Sequence, residues 1–265
     1  MTAILLREDR GAVAHMTLNA PESLNALSDA MLDALATELA RLEADRKIRV
    51  VVLKGAGRCF CAGHDLKEMQ QARQAEDHGA AAFRDLFNRC AAVMQAIVTL
   101  PQPVIAQVHG IATAAGCQLV ASCDMALAAE GTRFGVNGVN IGLFCSTPMV
   151  ALTRNVPRKL AFEMLTTGAF IPATRAAEIG LVNRVVAADL LDSESAALAD
   201  TVAGKLGAAV RIGKRAFYDQ AGLPLAEAYA HAGAVMVENM LWRDTEEGIS
   251  AFLGKRDPDW KNREG

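Results

Sequence analysis

The chain has 265 residues, 52% of them hydrophobic and 22% charged, with a formal net charge of −3. That is enough to bury a sizeable core as one large domain, or one domain with a small appendage. The small negative charge and scattered basic residues leave no bias towards nucleic acid or an anionic membrane, and no run approaches the ~18 apolar residues of a membrane span.

The stretch Met1–Arg10 has no basic region ahead of an apolar one, so it does not read as a signal peptide. Six cysteines occur, at 59, 61, 90, 117, 123 and 145. Cys59 and Cys61 form C-x-C, not C-x-x-C, and Cys117 and Cys123 are too far apart for a zinc knuckle. Buried free thiols in a reducing, cytoplasmic setting are expected.

Ala12–Asn19 alternates with period two and reads as a strand, broken by Pro21. Ser28 caps a helix through about Glu43, with Leu32, Leu35, Leu39 and Leu42 on one stripe. Val50–Gly55 is a β-branched run that reads as a strand buried on both faces. The order β, β, α, β predicts an α/β domain with crossovers. Lys67–Ala80 is polar and reads as a mobile loop or frayed helix: either a cover for a site or a plain solvated connection. Phe83–Val98 is an amphipathic helix, stopped by Leu100-Pro101-Gln102-Pro103. Val104–Val108 is a strand turned at His109-Gly110. A helix from Ala115, a strand at Met125–Ala129 and the segment Phe134–Ile141 follow. Arg154, Arg158 and Lys159 read as a solvated surface. From Arg158 the chain turns helical: Leu160–Leu165 ending at Gly168, Pro172–Ile179 ending at Gly180, then 193–206 and 225–242. No linker or repeat divides it.

Two small-residue turns carry the chemistry. Phe60-Cys61-Ala62-Gly63-His64-Asp65-Leu66 is one. Ala114-Ala115-Gly116, opening the apolar stretch Cys117–Ala121, is the other. Each can offer an exposed backbone N–H, which together suggest a two-donor oxyanion hole.

These turns, with four further motifs, resemble the crotonase (enoyl-CoA hydratase/isomerase) superfamily. Leu24-Asn25-Ala26-Leu27 is similar to its LNAL turn, and Phe60–Leu66 to F-x-A-G-x-D-L. Pro103–Gly110 is similar to P-V-I-A-A-V-x-G, Gly180–Val186 to G-L-V-N-x-V-V, and Glu247–Arg256 to E-G-x-x-A-F-L-x-K-R. The resemblance implies an α/β fold: a spiral of ββα units over 1–190 and a C-terminal helical region over 191–265. It implies a homotrimer or dimer of trimers, an acyl-CoA thioester as substrate or ligand, and no metal or redox cofactor. It places the oxyanion-hole donors at the amides of His64 and Ala115, and Ala26, Ala62, Asp65, Leu66, Asn137, Gly138 and Lys255 along the substrate. Alanine at 115, where the family usually has glycine, matters only if φ is positive there or the ligand needs the space. Asp65 is read as fixing its loop, and the His64 imidazole as incidental.

The departure lies in the acid/base groups. Hydratases carry a glutamate after the G-G-G-C run and another about twenty residues on; these positions fall on Gln118 and Gly138. Gln118 could hold a water, since an amide both donates and accepts, whereas Gly138 offers only space. Asn137, Asn140, Cys145, Ser146 and His109 are the other polar candidates, and Glu68 could swing in from its loop. The segment Gly142-Leu143-Phe144-Cys145-Ser146-Thr147-Pro148 resembles the enoyl-CoA hydratase domain-containing subgroup. Two readings stay open. One is an acyl-CoA enzyme: a weak hydratase or isomerase, a hydrolase, or a decarboxylase working through the hole. The other is a thioester binder without turnover. An RNA-binding role is disfavoured, because the helix at 29–43 carries four acids and one basic residue, Arg41.

Overall fold

The computed structural model describes residues 3–260. Met1 and Thr2 of the N-terminal stretch, and residues 261–265 of the C-terminal helical region, lie outside the described residues. Strands β1 (Leu5–Arg10) and β2 (Val13–Leu18) form a hairpin turned at Gly11. Helix α1 (Asp29–Ala44) follows, with Ser28 accepting from the Met31 amide as expected of its cap. Strand β3 (Val50–Gly55), helices α2 (Leu66–Ala72) and α3 (Ala80–Thr99), and strands β4 (Val104–Val108) and β5 (Ile111–Thr113) come next. Helix α4 (Ala115–Ser122) leads to β6 (Met125–Ala129) and β7 (Arg133–Gly135). A 3-10 turn (Asn137–Ile141), α5 (Pro148–Asn155), α6 (Arg158–Thr167), β8 (Ile171–Pro172), α7 (Ala173–Glu178) and β9 (Arg184–Val186) complete the core. Four helices close the chain: α8 (Leu191–Ala203), α9 (Gly207–Gln220), α10 (Leu225–Met240) and α11 (Arg243–Leu253).

One sheet runs β1-β2-β3-β4-β6-β9, parallel from β2 onward; the other runs β5-β7-β8. Parallel neighbours need crossovers, which the intervening helices supply. After β4 and again after β6 the chain swings into the second sheet before entering its helix. The first swing occurs at Gly110 (φ +65), where an added Cβ would lie 2.1 Å from the Arg58 carbonyl oxygen, so only glycine fits. This is the ββα spiral that the resemblance implies.

The hydrophobic pattern follows from two cores, one on each side of the larger sheet. Val51 and Leu53 face α1 and α3, packing with Leu35, Leu39, Leu42, Cys90 and Ile97. Val50 and Val52 face α8, packing with Ile105, Leu127, Leu191 and Ala199. An unbroken apolar run on β3 is the consequence.

The polar segment 67–80 is more ordered than a loop. Asp65 caps α2, accepting from Lys67 N at 2.8 Å, and Asp77, ahead of α3, accepts from Ala81 N in its first turn at 2.8 Å. Helix α2 buries none of its residues, so no hydrophobic period announces it. Phe134–Ile141 splits into β7 and the 3-10 turn, and α5, α9 and α11 were not legible as separate helices.

A buried ion pair joins α9 to the sheet. Lys214 Nζ lies 2.7 Å from Asp124 Oδ2 and also donates to the carbonyls of Ile97 and Gln102, both at 3.0 Å. The Tyr218 hydroxyl donates to Asp124 Oδ1 at 2.8 Å. Beyond this anchor, α10 packs on α9 and α11 and buries none of its residues. Tyr229, Leu241 and Phe252 stand exposed on this arm. Truncating Lys214 would strand a buried carboxylate. We expect Lys214→Ala to lower unfolding stability by about 3 kcal/mol or more, and Tyr218→Phe by about 1 kcal/mol. Urea titration of both variants checks this; equal, small losses would refute the anchor.

Candidate active site

The site grows from the ends of β3 and β5. Past β3 the backbone doubles tightly: an added Cβ on Gly55 would lie 2.5 Å from the Phe60 carbonyl oxygen. Asn25 holds this fold-back. It is fully buried in the left-handed region (φ 52), which asparagine tolerates better than most side chains. Its Oδ1 accepts from Ala20 N at 2.9 Å, and its Nδ2 donates to the carbonyls of Ala56 at 2.8 Å and Cys59 at 2.9 Å. The Leu24–Leu27 turn then clamps the first small-residue turn: Ala62 N donates to Leu24 O at 3.0 Å and Leu27 N to Gly63 O at 2.7 Å. Ala26 is buried here, Ala62 half-buried and Leu66 exposed.

The second turn abuts the first. Thr113 N donates to Cys61 O at 3.1 Å and Ala114 N to Gly135 O at 2.9 Å. An added Cβ on Gly116 would sit 2.2 Å from Cys61 O; on Gly63 (φ +93) it would sit 3.0 Å from Ala114 Cβ and 3.3 Å from Ala115 N. Among the described residues, neither the His64 nor the Ala115 amide donates to a backbone acceptor. Ala115 is the first residue of α4, so its amide carries the positive end of a helix dipole. Ala115 has no positive φ. The strained position is Ala114, at φ 50 and ψ −119, a region that glycine alone adopts easily.

Gln118 follows one helical turn after Ala115. It is 4% exposed, and its Oε1 is buried without a partner among the described residues. Gly138 lies in the 3-10 turn, and the space beside it is occupied, contrary to the expectation of open room. An added Cβ would lie 2.3 Å from the Leu143 carbonyl oxygen and 2.9 Å from Cys145 Sγ. Asn137 accepts from the Thr113 hydroxyl at 2.5 Å, tying this turn to the second donor turn.

The other polar candidates are engaged. The His64 ring is edge-on to Phe87 and places Nδ1 3.4 Å from Leu27 O; its Nε2 is buried and unpartnered. Burial pushes its pKa below the usual histidine value, so it is neutral near pH 7. Burial raises the Cys145 thiol and pushes Cys117 up to about 12, so neither is a ready thiolate. Glu68 accepts from Asp29 N at 2.9 Å and so supports α1. His109 Nε2 meets Gly57 O at 2.9 Å, Ser146 bonds within its own turn, and Asn140 donates to Gly168 O. Lys255 is exposed past α11 (φ 51), on the arm. A cavity of about 670 Å³ lies elsewhere, lined by Lys214, Trp242 and Leu100 ahead of β4.

Residues 8–263 match the model of a family described as enoyl-CoA hydratase/isomerase. The chain belongs to that family. Among its enoyl-CoA hydratase/isomerase relatives is the enoyl-CoA hydratase domain-containing protein 3, mitochondrial, of Danio rerio. It is 42% identical, over 98% of this chain and 89% of its own length. A crystal structure of enoyl-CoA hydratase from Mycobacterium smegmatis superposes with a TM-score of 0.93 at 52% identity, covering 97% of this chain and 98% of that one. The human enoyl-CoA hydratase domain-containing protein 3 superposes with a TM-score of 0.92 at 41% identity, covering 97% and 100%. The fold is that of the crotonases, and the subgroup resemblance of residues 142–148 agrees with these relatives. The mitochondrial names differ from the cytoplasmic setting expected from composition. No helix of the described residues is long and apolar enough to cross a membrane.

Two outcomes follow from this geometry. Ala114→Gly relieves a strained φ and should stabilise the fold by roughly 1 kcal/mol, raising Tm by about 2–4 °C; an unchanged or lower Tm in calorimetry would contradict the strain. The pKa of His64, like that of His15, is lowered by burial. As pH falls through about 6.5 the unfolded chain therefore binds protons that the folded rings refuse, and stability declines. Tm measured from pH 7.5 to 5.5 should fall, and less so in His64→Asn.

Proposed function

We propose that this chain binds acyl-CoA thioesters and stabilises an enolate-like thioester oxygen between the amides of His64 and Ala115. The observation that carries this is a pair of unclaimed N–H groups on two abutting turns, one of them at a helix start. Such a donor is typically worth about 3 kcal/mol to a transition state with charge on oxygen. Ala26, Ala62, Asp65, Leu66 and Asn137 are read as the channel for the ligand, with Lys255 reserved for its phosphates. Asp65 acts by capping α2.

Hydration is the weaker part of the family reading. By the family pattern, its two acids fall at Gln118 and Gly138. An amide and a glycine supply no proton, and Leu143 and Cys145 fill the volume that a side chain at 138 would need. A general acid or base contributes roughly 10²–10⁴-fold, so hydration of 2-enoyl-CoA should run about 10⁴-fold below a relative with both glutamates. A second reading is favoured by the same neutral pocket. Decarboxylation of a 2-carboxyacyl thioester breaks a C–C bond, releases CO₂ and leaves the electron pair in the enolate that the two amides hold; solvent then protonates the α carbon. That step needs no acidic side chain. Thioester hydrolysis and binding without turnover stand behind it.

The remaining assignments belong to the same proposal. They are a core to residue 190 with a helical region beyond it, assembly as a trimer or dimer of trimers through the exposed arm, and no metal or redox cofactor. The setting is a reducing aqueous compartment, consistent with six free, buried cysteines.

Purified protein incubated with crotonyl-, 3-enoyl-, malonyl- and saturated acyl-CoA, followed by mass spectrometry, tests the proposal. Slow hydration with CO₂ release from malonyl-type thioesters is expected. Fast hydration of crotonyl-CoA would overturn the missing-acid argument, and failure to bind any thioester would overturn the whole reading. Gly138→Glu should lose about 2 kcal/mol of stability through overpacking and gain no hydration.

A further inference from the structure

The cavity of about 670 Å³ lies between the core and the C-terminal arm. On the core side its wall is Arg46, in the connection from α1 to β3, with Leu100 and Pro101 past the end of α3. On the arm side the wall includes Ile212 of α9 and Trp242, just ahead of α11. Its volume falls in the range that takes a small organic molecule, about 300–1,000 Å³. Unfilled space of this size forgoes dispersion contacts that a ligand with an apolar body would supply.

Positive charge gathers beside it. Arg211, in the first half of α9, lines the cavity together with Arg46. Burial, and then the charges of Arg46 and Arg49, hold the Arg211 guanidinium below its ordinary value, so the three cations stand within reach of one another. Arg49 donates to Ala203 O at 2.7 Å, and its Nε is buried without a partner among the described residues. Arg46 is exposed and makes no ion pair among the described residues. Two acids in the wall have cations of their own: Asp219 lies 3.7 Å from Arg215, and Asp244 2.6 Å from Arg243. A third, Glu238, also lines a smaller cavity between α9 and α10.

We propose that this cavity binds a small phosphate monoester with a flat apolar body, the phosphate at Arg46 and Arg211 and the body against Trp242 and Leu100. A phosphate monoester carries close to two negative charges at pH 7, which suits a cluster of guanidiniums better than a single carboxylate does. Arginine meets phosphate oxygens with paired N–H bonds, and an indole gives a flat ligand a large contact area. A ligand held there joins the core to the arm. The site shares no residue with the two donor turns, and the inference does not rest on the thioester reading.

Calorimetric titration with 1-naphthyl phosphate, 1-naphthol and inorganic phosphate tests this. The phosphate ester should bind at least about tenfold tighter than either fragment, with the gap narrowing as salt is raised. Its binding should quench tryptophan fluorescence in the wild type and not in W242F, where Trp260 is the remaining tryptophan. R46M should weaken it at least about tenfold and leave the affinity for CoA unchanged; Arg46 is exposed, so the substitution leaves the packing intact. No binding of the ester at millimolar concentration, equal binding of inorganic phosphate, or an R46M variant that binds the ester as the wild type does would overturn the inference. So would a loss in R46M shared equally by CoA, which would place the ester in the thioester site. A protein that binds the ester and no CoA thioester would uphold this inference while removing the thioester reading.

Discussion

No side chain fits between residues 61–63 and 114–116, and the site depends on that exclusion. Gly116 lies under the Cys61 carbonyl and Gly63 under Ala114, so any Cβ there would push the two turns apart. Close approach is what leaves the His64 and Ala115 amides on neighbouring turns without backbone acceptors among the described residues. The tight seam also explains why strain is tolerated at Ala114: hydrogen bonds from Thr113 to Cys61 of the first turn and from Ala114 to Gly135 of β7 hold the turn on both sides. Asn25 completes the arrangement from below. Two of its three hydrogen bonds tie the Leu24–Leu27 turn to the segment after β3 and the third holds Ala20, which fixes where the first small-residue turn begins.

The electrostatic character of the pocket follows from the same packing. A histidine and two cysteines stand close to the donor turns, and burial keeps each in its uncharged form. Gln118 brings an acceptor with no partner among the described residues, and the Leu143–Cys145 segment brings bulk beside Gly138. On the proposed reading, the pocket stabilises charge on an oxygen through fixed dipoles and has little means of moving protons. Chemistry that sheds its own leaving group suits such a pocket better than chemistry that needs a base.

The C-terminal helices show a division between anchoring and reach. Lys214, Asp124 and Tyr218 lock α9 to the sheet inside a buried network, while α10 and α11 carry large apolar side chains into solvent. A surface of that kind is suited to meeting another protein surface.

Much of the scaffold was legible in the residues themselves. The Leu32–Leu42 stripe, the unbroken Val50–Leu53 run and the Ser28 cap each announce their element, because burial on one or two faces leaves a periodic trace. Helix α2 left none, since none of its residues is fully buried and it rests on an Asp65 cap. The motifs marked the two small-residue turns, and the order of small residues marked where backbone had to approach backbone. Tertiary structure alone decided the rest. Whether the alanine at 114 or at 115 carried the strain depended on the path into α4. Whether Gly138 opened room or was covered depended on a segment several residues further along the chain. Arg158 and Lys159 came to line a groove with Phe144 and Met149 only when α5 folded back against α6. Local sequence specifies which conformations a residue tolerates; which neighbours occupy its space is set by contacts between segments that the sequence keeps apart.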